Sequence, residues 1–215
     1  MMSKAEQKTE KLIETLSDDL VEVKVMPHPI KRVALWVVIT FSYAAIILTF
    51  LSIRPDLSIK LNDPNFVFEL IHILSISISA MACSSWLCVP DMRGQRWMLA
   101  VPTTLLLGFV IHILLRSIME DHNLPFLHVH HCITNSTVFG VIPALIIIAL
   151  SIKGKTTHPY VMSFMNTMAV GGLGYLGMRV TCMSEDIGHL YAYHLSPYIL
   201  FAIVISLVGR RIYRW

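Results

Sequence analysis

The chain has 215 residues, of which 55% are hydrophobic and only 14% are charged, and its formal net charge is +3. Soluble globular domains carry about 25% charged residues, so this composition excludes an ordinary soluble domain and indicates an integral membrane protein. Four cysteines do not form a disulfide scaffold in a chain of this length. The sequence contains no nucleic-acid-binding motif, phosphate-binding glycine loop or nucleophile elbow.

Residues 3–25 are predicted to form an amphipathic helix that Pro27 and Pro29 terminate, because proline lacks the backbone donor that a helix interior needs. Its apolar residues recur at helical spacing and form one stripe. They are Leu12, Ile13, Leu16 and Leu20. The helix is either a solvated segment near the membrane or a docking element whose stripe a partner or the bilayer covers.

Six apolar runs follow, each close to the roughly 20 residues that cross a bilayer core. They span about 32–53, 66–89, 97–118, 134–153, 159–180 and 189–209. Backbone groups in lipid must be satisfied within the spanning element, so each run is predicted to be a helix. The predicted fold is therefore all-α: a cytoplasmic helical segment over 1–31, then a domain of six transmembrane helices over 32–215.

The basic residues give the predicted orientation. All but four of the 17 fall on one side of the predicted membrane, together with both termini. The four exceptions are Arg54, Lys60, Arg116 and Arg179. Because cytoplasmic segments are enriched in Lys and Arg, both termini are predicted to be cytoplasmic, and the outer loops to be 54–65, 119–133 and 181–188. The predicted contacts thus include membrane lipid but no direct nucleic-acid partner.

Small residues between Ala169 and Gly177 in the fifth run are typical of close helix packing in membranes, and a cofactor loop is a less common reason for them.

Two cysteines and several histidines are predicted to converge at the outer surface, at the start of the fourth run and the end of the fifth. The candidate metal ligands are His128, His130, His131, Cys132, Cys182, His189 and His194. Thiolates and imidazoles bind copper, zinc and similar ions, although the spacing matches no paired C-x-x-C motif. Alternatively, Cys132 and Cys182 form a structural disulfide among ordinary histidines, or they alternate between metal binding and oxidation as a switch.

Four polar residues lie within the outer half of the second and third runs. They are Glu69, His72, His112 and Arg116. Each pair shares a helix face, and intramembrane ionisable residues normally find partners, so Glu69 is predicted to meet Arg116 with the two histidines deeper. This group is either a structural polar clasp, a relay from the outer site, or a bis-histidine haem or metal site.

Several short motifs together resemble the NrsF-like family of bacterial membrane anti-sigma factors. They are Leu12-Ile-x-x-Leu16-x-x-Asp19-Leu20, Pro27, Arg32, Trp36, Arg54-Pro-Asp-Leu57, Pro64-x-Phe66, Glu69, Cys132, Cys182, Asp186, His189, His194-x-x-Pro197 and Gly209-Arg-Arg-x-x-Arg-Trp215. The resemblance implies a location in the inner membrane and a sigma-binding helix that contains Leu12, Ile13, Leu16, Asp19 and Leu20. It also implies that Cys132 and Cys182 respond to heavy metal or oxidation. The histidines before Cys132 are denser than the family pattern, which implies a different ligand set.

The predicted function is a non-enzymatic anti-sigma factor that sequesters an extracytoplasmic-function sigma factor and releases it when Cys132 and Cys182 bind heavy metal or are oxidised. No cofactor is required, although a copper, zinc or other heavy-metal ion could occupy the Cys/His site. The alternatives are a membrane thiol oxidoreductase and a metal- or haem-binding membrane protein. A metal transporter is disfavoured, because the span centres carry no pairs of metal ligands. The oligomeric state does not follow from the sequence.

Overall fold

The computed structural model describes residues 4–18, 26–89, 94–119, 131–154 and 156–213, and within these ranges the regular structure is helical throughout. The elements in chain order are α1 (Lys4–Asp18), α2 (Pro29–Leu51), α3 (Leu57–Lys60), α4 (Pro64–Leu87), α5 (Trp97–Met119), α6 (His131–Ile152), α7 (Pro159–Thr181), α8 (Ile187–His189), a π-helix (Leu190–Leu195) and α9 (Ser196–Tyr213). The all-α prediction is confirmed. The part of the predicted N-terminal helix beyond Asp18 lies outside the described residues.

Local sequence signals explain where the long helices begin. Helix α4 has Pro64 at its first position, and the Asp63 carboxylate accepts a hydrogen bond of 3.0 Å from the backbone N–H of Asn65. This cap satisfies one of the free N–H groups at the helix start. Asp56 precedes the short helix α3, but its carboxylate makes no cap hydrogen bond there and instead binds the Arg54 side chain at 2.7 and 2.8 Å. The guanidinium is a stronger, charge-assisted partner than a backbone amide.

Five segments of the described chain are long and apolar enough to cross a membrane. They are Pro29–Leu51, Pro64–Leu87, Trp97–Met119, His131–Ile152 and Ile187–Tyr213. The fifth predicted span, 159–180, forms α7, which is also 23 residues long but less apolar. Each of the six predicted spans therefore corresponds to a long helical segment, and five of these segments are both long enough and apolar enough to cross a membrane.

Helix α7 differs because its neighbours enclose it. It packs against α4, α6 and α9, and most of its residues are buried, including the polar Ser163, Asn166 and Thr167. Asn166 donates hydrogen bonds to Ser151 Oγ (3.2 Å) and Tyr213 Oη (3.0 Å). A helix that faces other helices rather than lipid can satisfy polar side chains in this way, which explains its lower hydropathy.

The small residues of α7 allow this close packing, as the sequence predicts. A Cβ atom added to Gly174 would lie 1.6 Å from the Tyr198 hydroxyl of α9, and one added to Gly177 would lie 2.7 Å from the Phe139 ring of α6. Neither distance is compatible with any side chain. These glycines therefore set the separation of α7 from α6 and α9.

Consecutive long helices run in opposite directions, which gives the bundle two ends. One, here called the Cys182 end, contains the end of α2, α3, the start of α4, the end of α5, the start of α6 and the end of α7. The other, called the Arg32 end, contains the start of α2, the end of α4 and the end of α6. Backbone contacts such as Arg54 N–H to Val180 O (3.0 Å) tie the Cys182 end together.

Candidate functional site: a cysteine and histidine cluster

Two cysteines and two histidines meet at the Cys182 end. The Sγ atoms of Cys132 and Cys182 are 3.6 Å apart, and Cys182 Sγ lies 3.5 Å from His189 Nε2. With His194, all four potential ligand atoms lie within 4.8 Å of one another. Among the residues that the structure describes, this is the one group of three or more His, Cys, Asp or Glu side chains with such proximity.

Three different elements bring these residues together. Cys132 is the second residue of α6, and Cys182 ends α7, where its N–H donates to Met178 O at 2.8 Å. His189 is fixed by the Asp186 carboxylate, which accepts its backbone N–H at 2.7 Å.

The π-helix explains how His189 and His194 reach one site. They are at positions i and i+5, and on an α-helix that spacing would turn them about 140° apart. The chain over Leu190–Leu195 is instead a π-helix, whose hydrogen bonds join residues i and i+5. The two imidazole rings consequently lie 5.3 Å apart between centroids. Short π-helical segments frequently mark functional sites.

The geometry is close to that of a four-coordinate metal site. Bonds of about 2.3 Å to sulfur and 2.0–2.1 Å to nitrogen place tetrahedral ligands about 3.8 Å apart for two sulfurs and about 3.6 Å apart for sulfur and nitrogen. The observed separations are 3.6 Å between the sulfurs and 3.5 Å between Cys182 Sγ and His189 Nε2. Both sulfurs and the His189 nitrogen therefore already occupy positions that suit one ion.

His194 is the most unusual member of the cluster. Its side chain is 0% exposed, and neither ring nitrogen has a hydrogen-bond partner among the described residues. An unsatisfied buried polar group costs roughly 1–3 kcal/mol. A bound ion would supply the missing partner for one nitrogen, so the donor set fits a metal.

Cys182 is the more acidic thiol of the pair. The hydrogen bond from Cys132 lowers the pKa of Cys182, partial burial opposes this, and the nearby His194 imidazole lowers it further. Because the thiolate is both the metal ligand and the nucleophile of disulfide exchange, Cys182 is the reactive member. Both cysteines are free thiols in this structure.

The other predicted ligands lie apart from this cluster or outside the described residues. His131 is the first residue of α6, is exposed, and does not belong to the group of four. His128 and His130 precede α6 and lie outside the described residues, as do Asp19 and Leu20 of the predicted sigma-binding helix.

A buried charge network lies beside the cluster, and its centre is Glu69. The Arg179 guanidinium contacts both Glu69 carboxylate oxygens, at 3.1 and 3.3 Å, and the Tyr175 hydroxyl donates to Oε1 at 2.6 Å. Arg116 Nη1 lies 3.7 Å from Oε2. The structure thus brings Glu69 and Arg116 together, but Arg179, which the sequence prediction did not include, is the closer partner.

Glu185 extends this network to the segment that follows Cys182. Its carboxylate binds Arg179 at 2.9 Å and Arg54 at 2.8 Å, and Lys60 lies 3.6 Å away. Partial burial raises the pKa of Glu185, but the hydrogen bonds from Arg179 and Arg54, together with the charges of Arg179 and Lys60, outweigh it and lower the pKa overall. One signal in the sequence could have identified Arg54 and Arg179: both are among the few basic residues on the predicted outer side.

The two histidines of the predicted polar clasp have other neighbours. His72 Nε2–H donates to the Leu105 carbonyl of α5 at 2.8 Å, so this ring links α4 to α5. Phe68 packs edge-on against both His72 and His112, with ring centroids 5.4 and 6.3 Å away. These contacts are those of a packed helix interface.

The N-terminal helix α1 leaves its apolar stripe uncovered. Leu12, Ile13 and Leu16 are 59%, 60% and 60% exposed, on a helix that is too polar to lie within a bilayer. Water does not favour so continuous an apolar stripe.

The model of a protein family described as NrsF, negative regulator of sigma F, matches residues 16–215 of the chain. The comparisons with curated proteins and with solved structures give no significant match. The family match covers nearly the whole chain, including the cysteine cluster and the charge network. The chain therefore belongs to the NrsF family of negative regulators of a sigma factor.

Proposed function

We propose that the chain retains an extracytoplasmic-function sigma factor at the inner membrane of a bacterium through α1, and releases it when Cys132 and Cys182 bind a heavy-metal ion or are oxidised. The observation that carries the proposal is the approach of four ligand atoms to within 4.8 Å of one another. The predicted orientation places this cluster outside the cytoplasm and α1 inside.

Metal binding supplies enough free energy for such a switch. Changing a two-state equilibrium from mostly off to mostly on takes about 5.5 kcal/mol of differential binding. Structural zinc sites bind with about 10–16 kcal/mol. The site needs to tighten only modestly on binding, since the His194 nitrogen lies within 4.8 Å of the other ligands.

Helix α6 is a direct route from the site to the other end of the bundle. It carries Cys132 near its start, and close to its end the Leu150 carbonyl accepts a hydrogen bond from Arg32 of α2. Arg32 also contacts the Met26 sulfur at 3.5 Å, and Met26 is the first described residue after the N-terminal segment. Drawing Cys132 towards Cys182 would displace α6 relative to α2 and so reach the segment that leads from α1.

Oxidation would act on the same pair. Formation of a disulfide between Cys132 and Cys182 joins the two sulfurs and transfers two electrons and two protons to an oxidant, such as another disulfide. Metal and oxidant would both draw α6 and α7 together at the Cys182 end.

The decisive experiment uses the full chain in lipid nanodiscs with its sigma factor, and follows release of the sigma factor as Zn²⁺, Cd²⁺ or a disulfide oxidant is added. Cys132→Ser and Cys182→Ser should retain the sigma factor at every concentration. Cys83→Ser, at a buried thiol outside the cluster, is the matched control and should release normally. Normal release from the Cys132→Ser/Cys182→Ser double variant would refute the sensor role.

The sigma-binding role of α1 is tested separately. Leu12→Ala combined with Leu16→Ala removes the exposed stripe and should weaken binding of the sigma factor at least tenfold. Glu14→Ala lies on another face of α1 and is the control, for which no loss is expected. Equal binding by the stripe variant and the control would place the sigma-binding surface elsewhere.

A further inference from the structure

Arg32, at the Arg32 end of the bundle, is a buried cation whose hydrogen-bond acceptors among the described residues are all neutral. Its guanidinium is 4% exposed and donates to the carbonyls of Ser85 (3.3 Å) and Leu150, and to the sulfur atoms of Cys88 (3.1 Å) and Met26 (3.5 Å). All four acceptors are neutral. Within the part of the chain that the structure describes, Arg32 makes no ion pair, so its charge is uncompensated.

Arg32 lines a cavity of about 730 Å³ between the start of α2 and the end of α6. Two exposed lysines, Lys31 and Lys153, also line this cavity, and none of its described lining residues is acidic. Three cations around one cavity are electrostatically unfavourable unless an anion joins them. The cavity is therefore complementary to a negatively charged group.

The apolar lining shows what kind of anion fits. Leu35 follows Lys31 by four residues and lies on the same face of α2, one helical turn deeper in the membrane. Leu150 provides the corresponding apolar surface on α6. A basic rim at the end of a membrane helix with apolar side chains directly below it matches a phospholipid, whose phosphate lies above its acyl chains.

We propose that this cavity binds the headgroup of an anionic phospholipid, with its phosphate between Lys31 and Lys153, above the buried charge of Arg32, and an acyl chain along Leu35 and Leu150. Basic pockets between transmembrane helices bind anionic headgroups in this way. The cavity lies between the start of α2 and the end of α6, the ends that the predicted topology assigns to the cytoplasmic side of the membrane. The proposal does not depend on the sensor role of the cysteines or on the identity of the sigma factor.

The test compares two double variants of the full-length protein purified in detergent. Lys31→Gln/Lys153→Gln removes the rim of the cavity but leaves the internally bonded Arg32 in place. Arg210→Gln/Arg211→Gln removes two exposed charges from the last turn of α9, at the same end of the bundle. It is the matched control, because the net charge changes equally.

Phosphatidylglycerol, phosphatidylcholine and inorganic phosphate are the probes, with native mass spectrometry to count bound lipid and thermal unfolding to measure stabilisation. The wild type should retain phosphatidylglycerol in preference to phosphatidylcholine. Each basic residue near an anionic headgroup contributes about fivefold in affinity, so the Lys31→Gln/Lys153→Gln variant should lose about 25-fold, and the control less than fivefold.

Three results would overturn the proposal. Equal losses in both double variants would indicate a general attraction to surface charge. Equal stabilisation by inorganic phosphate and phosphatidylglycerol would indicate a site for the free anion. The third result has two parts: the wild type shows no lipid preference, and Lys31→Gln/Lys153→Gln loses binding of the sigma factor in nanodiscs that contain only phosphatidylcholine. The cavity would then be assigned to an acidic protein segment.

Discussion

Replacing His194 should have opposite effects on stability and on metal binding. The imidazole is completely buried and neither nitrogen has a hydrogen-bond partner in the described structure. Leucine is similar in volume and has no polar atoms. In the metal-free protein, His194→Leu should therefore recover about 1–3 kcal/mol of desolvation cost. For a chain of this size, about 2–4 °C accompanies each kcal/mol, so the melting temperature should rise by about 2–12 °C.

The same substitution removes one of the four proposed ligands. If about 10–16 kcal/mol of metal binding is shared equally by four ligands, each contributes about 2.5–4 kcal/mol. At 1.4 kcal/mol for each tenfold change, the affinity for Zn²⁺ or Cd²⁺ should fall roughly 60- to 700-fold. A competition titration against a chromogenic chelator, with the protein in detergent, measures this loss, and a thermal unfolding curve of the chelator-treated protein measures the gain in stability.

The matched control is His72→Leu, the same chemical change at a histidine outside the cluster. His72 donates a 2.8 Å hydrogen bond to Leu105, so its replacement should destabilise the protein by about 1 kcal/mol and leave metal affinity unchanged. If His194→Leu lowers the melting temperature of the metal-free protein, the imidazole is stabilised by the neighbouring Cys182 thiolate, whose pKa it lowers. If metal affinity is unchanged, His194 is not a ligand.

Three further predictions concern the surroundings of the site. The lowered pKa of Cys182 keeps its thiolate populated as the pH falls. Between pH 8 and 6 the alkylation rate of Cys182, measured by mass spectrometry, should therefore fall far less than the roughly 100-fold expected of an ordinary thiol. Cys132→Ala should restore the pH dependence of an ordinary thiol. Glu69→Gln leaves the buried Arg179 without its main partner and should destabilise the fold by about 3–5 kcal/mol. If Arg179→Gln costs as much stability in the Glu69→Gln variant as in the wild type, the two residues are not coupled and the pairing is contradicted. Gly174→Ala introduces a methyl group 1.6 Å from a tyrosine hydroxyl of α9, so it should lower the melting temperature by several degrees, whereas unchanged stability would mean that α9 can move away without cost.

Hydropathy and helix-terminal residues predicted most of the fold. The predicted spans agree with the helices to within a few residues, because a bilayer imposes both the length and the helical conformation of each apolar run. Asp63 and Pro64 marked the start of α4 through local chemistry that needs no tertiary information. Helix α7 was found by the same criterion, although its central position, enclosed by α4, α6 and α9, did not follow from its composition.

The contacts between helices were less predictable. Helical periodicity indicates which residues share a face, but not which face of another helix they meet. Glu69 was therefore assigned to Arg116, on the next helix in the sequence, whereas Arg179 on α7 lies closer. His189 and His194 have a spacing that disperses them on an α-helix, and only the π-helix brings their rings to 5.3 Å.

We propose that the cluster is a switch rather than a structural staple. A site built for permanent metal binding normally has ligands that second-shell hydrogen bonds orient, whereas both nitrogens of His194 are without such partners in the described structure. A permanent disulfide would leave no role for two buried or half-buried imidazoles beside it. In the metal-free state the unsatisfied His194 lies beside two free thiols 3.6 Å apart, of which Cys182 is the more acidic. The buried imidazole raises the free energy of that state. A ligand that relieves this cost stabilises one arrangement of α6 and α7 over another, which is the requirement for a signal to pass through the bundle.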